Sequence, residues 1–222
     1  MSSEYKVLVT GASRGIGKAI SELYRSDGYR VYTPSRDEMD LGTIESVKKF
    51  ISENKDGFDI IINNAGINEI NILGELEQDN IDDMININLV SPMLLIDGFI
   101  GGMKKNGFGR IVNIASIWSV TSKGGRGVYS ATKRGIHGIT TTAAVEYGQY
   151  GVLTNTVSPG FTLTDLTRKN NSEEAIKAIS ETIPVKRMAE VDEIAKVVCY
   201  LGSDKNTYIN GQNIVVDGGF SL

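Results

Sequence analysis

Cysteine and histidine are almost missing: the 222 residues hold one of each, Cys199 and His137. A single thiol excludes an intramolecular disulfide framework, and one Cys with one His leaves no ordinary ligand set for structural zinc, so no metal site is expected. Proline is scarce at four residues, which argues against Pro-rich linkers. Positive charge is not in excess. The net charge of −4 gives no whole-protein attraction to nucleic acid or to an anionic membrane. No uninterrupted apolar run approaches the ~18 residues of a membrane-spanning helix. The stretch from Met1 to Lys6 has no apolar leader core, so the expectation is a cytoplasmic protein without a signal peptide. What remains is an ordinary globular balance: 41% hydrophobic, 23% charged and 25 glycines. That balance excludes disordered, collagen-like and coiled-coil classes.

The apolar pattern changes period along the chain. Tyr5 to Val9, Arg30 to Thr33, Phe58 to Ile62, Arg110 to Ala115, Leu153 to Val157 and Ile214 to Val216 read as short strands. Between them, helical spacing appears from Ile16 to Tyr24, Ile44 to Ile51, Ile81 to Phe99, Val128 to Tyr147 and Ile194 to Leu201. Short apolar strands alternating with amphipathic helices predict an α/β fold, a doubly wound parallel sheet of Rossmann type covered on both faces, in one domain spanning residues 1–222. Residues 161–191 are weakly patterned and polar at Arg168 to Glu174; a segment of that length in a compact domain is expected to form a substrate lid.

Thr10-Gly11-Ala12-Ser13-Arg14-Gly15-Ile16-Gly17 joins the first strand to the first helix. Glycines there permit a tight turn and close approach of a ligand to the backbone, and a helix N-terminus offers free N–H groups to a pyrophosphate. The spacing is Gly-x-x-x-Gly-x-Gly, and by itself it also suits a plain sharp loop. Tyr129 and Lys133 stand four apart on a predicted helix and share a face. A phenol with an ordinary pKa of about 10 is a poor base, and an adjacent ammonium favours phenolate; a shift of roughly three units corresponds to about 4 kcal/mol. Ser116, at a strand end, can hydrogen-bond the same oxygen that Tyr129 protonates or deprotonates. In isolation a Tyr–Lys pair at this spacing is a surface pair.

Together these motifs resemble the short-chain dehydrogenase/reductase family. Thr10 to Gly17 resembles its cofactor turn, Asn63-Asn64-Ala65-Gly66 its second motif, and Tyr129-Ser130-Ala131-Thr132-Lys133 its catalytic motif. Ser116 precedes Tyr129 at the family's spacing, Asn88 matches its helix asparagine, and Ser158-Pro159-Gly160 its post-strand motif. The likeness runs in order from residue 5 to Val216-Asp217-Gly218-Gly219 and is most like bacterial β-ketoacyl carrier-protein reductases, most visibly at Pro159 to Asp165. The resemblance implies hydride transfer from a nicotinamide, with Asn88, Ser116, Tyr129 and Lys133 as catalytic residues. It implies a cofactor site built from Gly11, Ser13, Arg14, Gly15, Ile16, Gly17, Arg36, Asp40, Leu41, Asn64, Ala65, Gly66, Tyr129, Lys133, Pro159, Gly160, Thr162 and Thr164. It also implies a homotetramer or homodimer, with contacts on the faces of Val128 to Tyr147 and Ile194 to Leu201.

Pro92 lies four residues after Asn88 and cannot donate to its carbonyl. That carbonyl is then free to hold a water, which in the family links Lys133 to bulk protons; a kink serving packing is the alternative. Arg36, after the second strand, and Arg14 indicate NADP, with NAD as the alternative, because an acidic residue after that strand would select the ribose hydroxyl of NAD. Asp40 matches the family's adenine-contacting Asp. The chain then departs from the family: only Asp37, Glu38 and Met39 separate Arg36 from Asp40-Leu41, where most members carry about 20 more residues of helix and strand. Only a stub of that strand is expected.

Other residues read less specifically. His137 could serve a hydrolase triad, but no Gly-x-Ser-x-Gly elbow is present. Trp118 fits either a cleft wall or loop packing, and Cys199 an inert core position. The functional expectation is an NADP-dependent reductase of a small carbonyl compound, or the reverse oxidation. The alternatives are a sugar or polyol dehydrogenase and a dinucleotide-sensing protein without catalysis. No nucleic acid or membrane partner is expected. In carrier-protein reductases two docking arginines stand where this chain has Gly107 and Tyr150, which argues for a free small substrate, with Lys104, Lys105 and Arg110 as possible substitutes.

Overall fold

A computed structural model describes residues 5–222, apart from the side chains of Leu166 and Asn170. In chain order the main sheet takes β1 (Lys6–Val9), β2 (Arg30–Tyr32), β3 (Ile60–Asn63), β4 (Gly109–Ile114), β5 (Val152–Pro159) and β8 (Asn213–Val216). All pair in parallel, in the order β2-β1-β3-β4-β5-β8. The connecting helices are α1 (Gly15–Ser26), α2 (Ile44–Glu53), α3 (Gln78–Ile85), α4 (Ser91–Asn106), α5 (Gly127–Tyr147) and α8 (Val191–Leu201). Buried strands explain why continuous apolar runs, not alternation, marked them. Their side chains serve two cores. Val7, Val9, Ile60, Ile62, Val112, Ile114 and Val157 pack with Ile20 and Tyr24 of α1 and Ile194 and Val198 of α8. On the opposite face Leu8, Ile61 and Ile111, in register across three strands, pack with Val47 and Phe50 of α2 and Leu95, Phe99 and Met103 of α4.

The chain crosses from β2 at one edge to β3 beyond β1, so the order reverses between β1 and β3. The carboxyl ends of strands at such a switch point are where open α/β sheets bind ligands. Residues 33–43 form only turns and extended segments, so the expected stub of a further strand is absent and β2 is the sheet edge.

The predicted long helix is a continuous stretch, Gln78–Asn106, with one irregularity: a π-turn at Asn86–Val90, where the Ser91 N–H reaches back to the Asn86 carbonyl. By length and composition this stretch could cross a membrane. Its apolar side chains Leu95, Ile96, Phe99, Ile100 and Met103 are instead core. Residues 161–191 are better ordered than the sequence pattern suggests. They hold α6 (Asp165–Asn170), α7 (Glu173–Thr182) and a small two-stranded sheet of β6 (Thr162–Leu163) and β7 (Ala189–Glu190).

Three side chains settle as packing residues. Cys199 is buried and its thiol is pushed up to about 12 by burial, so it is unreactive. His137 Nδ1 pairs with Thr156 Oγ1 at 3.2 Å, on a chain of side chains through Thr140 to Asn113 and Asn63. Arg110 is buried, with its guanidinium donating to the carbonyls of Gly109, Gly151, Ser203 and Asn206.

Candidate active site

The turn after β1 is shaped by glycine where nothing else fits. A Cβ on Gly11, at φ +64°, would lie 2.8 Å from Ala65 Cα, and a Cβ on Gly17 would lie 2.4 Å from both Asn64 Nδ2 and the Gly11 carbonyl oxygen. Asn64 binds this turn to β3: its side-chain amide donates to the carbonyls of Thr10 and Gly11 at 3.0 and 3.1 Å. The Thr10 hydroxyl accepts the N–H groups of Asn64 and Ala65, both at 3.0 Å. No side chain caps the N-terminus of α1, so its first turn keeps donors for an anion.

Above this turn opens a cleft of about 690 Å³. Of the predicted cofactor residues it gathers Gly11, Ser13, Arg14, Gly15, Ile16, Gly17, Arg36, Asp40, Leu41, Asn64, Ala65, Gly66 and Thr164. Pro159, Gly160 and Thr162 are not among its walls; the Thr162 hydroxyl donates to the Gly160 carbonyl at 3.1 Å. The walls also include Thr10, Pro34, Ser35, Met39, Ile67, Asp83 and Ile87, absent from the sequence-based set. Thr10 was legible as the first residue of the turn motif; Asp83 and Ile87 carry no motif and arrive only because the chain folds them there. A glycine cradle, uncapped helix donors and a cleft of this size fit a dinucleotide.

Asp40 does not stand free. Its Oδ1 accepts the Gly42 N–H at 2.9 Å and its Oδ2 the Arg36 Nε at 3.2 Å.

The acid/base group lies where the cleft ends. Ser116 follows β4 and opens a short 3₁₀ turn, Ile117–Ser119, accepting the Trp118 N–H at 3.3 Å. Tyr129 sits partly buried in the first turn of α5. Lys133, one turn on, is 4% exposed and donates to the Ile114 carbonyl at 2.8 Å. Gly66 ties this group to the cleft: a Cβ on it would lie 3.2 Å from both Lys133 Nζ and Asn88 Oδ1. The Asn88 side chain, in the π-turn, accepts the Ile67 N–H and donates to the Ile67 carbonyl, each at 2.9 Å, and reaches Thr132 Oγ1 at 3.3 Å. It braces the loop after Gly66 against α5.

The expected lowering of the Tyr129 pKa does not occur. Burial raises the phenol above its ordinary value, while the Ser116 hydrogen bond and the Arg126 charge pull the other way and lose. Lys133 Nζ stands 5.8 Å from the Tyr129 ring centroid and is turned to a carbonyl. The same desolvation brings the Lys133 ammonium down to about 8. At neutral pH the pair is therefore a neutral phenol beside a largely charged ammonium.

Beyond Ser116 lies a second, apolar cavity of about 470 Å³ between the 118–123 loop and α7. Trp118, Phe161 and Phe220 wall it, packed edge to face with centroids 5.1 to 6.3 Å apart. Trp118 is thus a cavity wall as well as a packing residue, and Phe220 brings the end of the chain to the site.

Comparison with known proteins agrees with this geometry. A family profile described as enoyl-(acyl carrier protein) reductase matches residues 36–221. The 3-oxoacyl-[acyl-carrier-protein] reductase FabG of Vibrio cholerae is 36% identical over 244 aligned residues covering all of both chains, and that of Escherichia coli K12 is 34% identical over the same extent. Among solved structures, a protein assigned as an NAD(P)-dependent gluconate 5-dehydrogenase from Beutenbergia cavernae, with NADP bound at low occupancy, superposes with TM-score 0.91 at 28% identity, covering 98% of this chain and 97% of that one. A protein assigned as a betaketoacyl-ACP reductase gives TM-score 0.85 at 28% identity over the whole of both chains. Likeness of this extent carries both the fold and the chemistry: the chain belongs to the short-chain dehydrogenase/reductase family and is an oxidoreductase that interconverts carbonyl and alcohol groups.

Proposed function

We propose that the protein reduces a free small carbonyl compound with NADPH, Tyr129 acting as general acid. The observation that carries this reading is the placement of Tyr129 and the buried Lys133 on one face of α5, joined to the dinucleotide-sized cleft through Gly66, so that a protonated phenol stands ready to protonate a carbonyl oxygen. Ser116, on the same side, hydrogen-bonds that oxygen as charge develops. Lys133 holds its charge next to Tyr129, and Asn88 positions the loop that covers Lys133. Bound in the cleft, the dinucleotide supplies the hydride. Pro159, Gly160, Thr162 and Thr164 stand at its nicotinamide end, and residues 161–191, which bring Thr164 to within 3.4 Å of the position a Gly15 Cβ would take, act as the lid. The cavity walled by Trp118, Phe161 and Phe220 receives the apolar part of the substrate. The chain assembles as a homotetramer in the cytoplasm.

NADPH is preferred because Arg14 and Arg36 both face the cleft. Arg36→Ala is expected to weaken NADPH at least fivefold more than NADH, since charge-assisted phosphate contacts are the stronger kind. Equal losses in KM for the two cofactors would remove Arg36 from the phosphate site.

A second reading, oxidation of a sugar or polyol, draws on the gluconate 5-dehydrogenase likeness. A third substrate class, carrier-bound acyl chains, draws on the 3-oxoacyl-[acyl-carrier-protein] reductases. Against the third, Gly107 offers no side chain and Arg110 is consumed inside the fold, which leaves the exposed Lys104, over the Tyr150 ring at 4.1 Å, and Lys105 as the substitutes. The test compares kcat/KM for a 3-oxoacyl carrier protein and for the same acyl group on a short thiol, alongside a panel of free ketones and polyols. The free compounds are expected within tenfold of the carrier substrate. A carrier advantage of 100-fold that collapses with salt overturns the reading, because docking charges would then exist.

A further inference from the structure

The turn that replaces the family's missing helix and strand carries two carboxylates at the cleft, Asp40 on its wall and Glu38 bonded to the wall residue Ser35, and only Asp40 was expected. Glu38 Oε2 accepts the backbone N–H of Ser35 at 2.7 Å. Two residues on, Asp40 holds Arg36 through Nε at 3.2 Å. Ser35, Arg36 and Arg14 all wall the cleft beside β2. A backbone N–H, a hydroxyl and two guanidinium groups form a donor set that suits a phosphate monoester. In the resting protein an internal carboxylate holds the first of those donors.

We propose that Glu38 is a built-in competitor for the cofactor's 2′-phosphate, setting how strongly the protein distinguishes NADP from NAD. The inference rests on the cofactor site assigned above. Two effects act together. A phosphate that takes the Ser35 N–H must displace the Glu38 carboxylate, and one that lands on Arg14 and Arg36 alone meets a negative charge next door. NAD carries a hydroxyl there and meets neither cost. Glu38 is exposed, so the effect is modest and screened by salt. The short turn makes the arrangement possible, because three residues bring Glu38 back over Ser35.

The test uses two fragments, adenosine 2′,5′-bisphosphate and AMP, titrated calorimetrically into the wild-type protein and Glu38→Gln. Glutamine keeps an oxygen for the Ser35 N–H and removes the charge. The expected result is a 3- to 10-fold tighter bisphosphate, AMP unchanged within twofold, and a gain that shrinks in 0.5 M salt. The NADPH/NADH ratio of kcat/KM should rise in parallel. A bisphosphate-to-AMP ratio unchanged by Glu38→Gln, or a change shared equally by both fragments, overturns the proposal and leaves Glu38 as a cap on the turn. Failure of the NADP reading is separate: a wild-type protein binding AMP as tightly as the bisphosphate would refute that preference, while the shift on Glu38→Gln would still report the competitor.

Discussion

Tyr129→Phe is expected to lower turnover by at least 10²-fold while leaving the affinity for cofactor near normal. The substitution removes one oxygen and little else. The ring keeps its place in the first turn of α5, and Lys133 keeps its hydrogen bond to the Ile114 carbonyl. What is lost is the neutral acid beside Ser116, and removing a general acid typically costs 10²–10⁴ in rate. The sign of the pH dependence follows from the same groups. In reduction Tyr129 must be protonated, and burial keeps it so well past neutrality. Lys133 discharges first, at about 8, so the reduction rate should fall as pH rises through that value. Nicotinamide absorbance at saturating substrate, with cofactor Kd measured by fluorescence, checks both parts. Turnover within threefold of wild type would remove Tyr129 from the proton transfer.

The sheet was readable from sequence because each central strand is a short apolar run between helices of clear 3.6-residue period. The glycine turn after β1 and the Tyr129–Lys133 pair were readable because the close approach of Ala65 and Asn64 admits only glycine at Gly11 and Gly17 and the pair is fixed by one helical turn. Four features were not. The π-turn at Asn86–Val90 has no sequence mark except Pro92, which signals a fault in the ladder and not its form. The elements between Phe161 and Val191 are short, and the ten-residue α7 has only the brief apolar stripe of Ala175, Ile176, Ala178 and Ile179, none of it fully buried. The pKa of Tyr129 was misjudged in direction because spacing shows that an ammonium is near but not how much water both groups lose. Arg110 failed in the same way. At the start of its predicted strand it reads as a possible docking cation, whereas four backbone carbonyls hold it inside.

Lys133 places function and stability in opposition, and Lys133→Met should show both. Activity is expected to fall at least 10²-fold, because the methionine neither carries charge beside Tyr129 nor donates a proton. Stability is expected to rise. The folded pKa of Lys133, about 8, is depressed from the ordinary 10.5. Between those values the unfolded chain binds more protons than the folded one, so the stability of the wild-type protein increases with pH across that window. Below pH 8 the full penalty is present, about 3 kcal/mol for a shift of this size. Loss of the hydrogen bond to the Ile114 carbonyl returns about 1 kcal/mol of it. The net gain of the methionine variant at pH 7, about 2 kcal/mol, corresponds to roughly 4–8 °C in Tm for a chain of this length. Above about pH 11 the gain should vanish, since the folded and unfolded wild-type chains then both hold Lys133 uncharged. Calorimetric scans of the two proteins at about pH 7 and about pH 11 separate this from simple repacking, which would shift Tm equally at both. A methionine variant no more stable than wild type at pH 7 would mean that the Lys133 ammonium is solvated in the folded protein and that its charge is held there without strain.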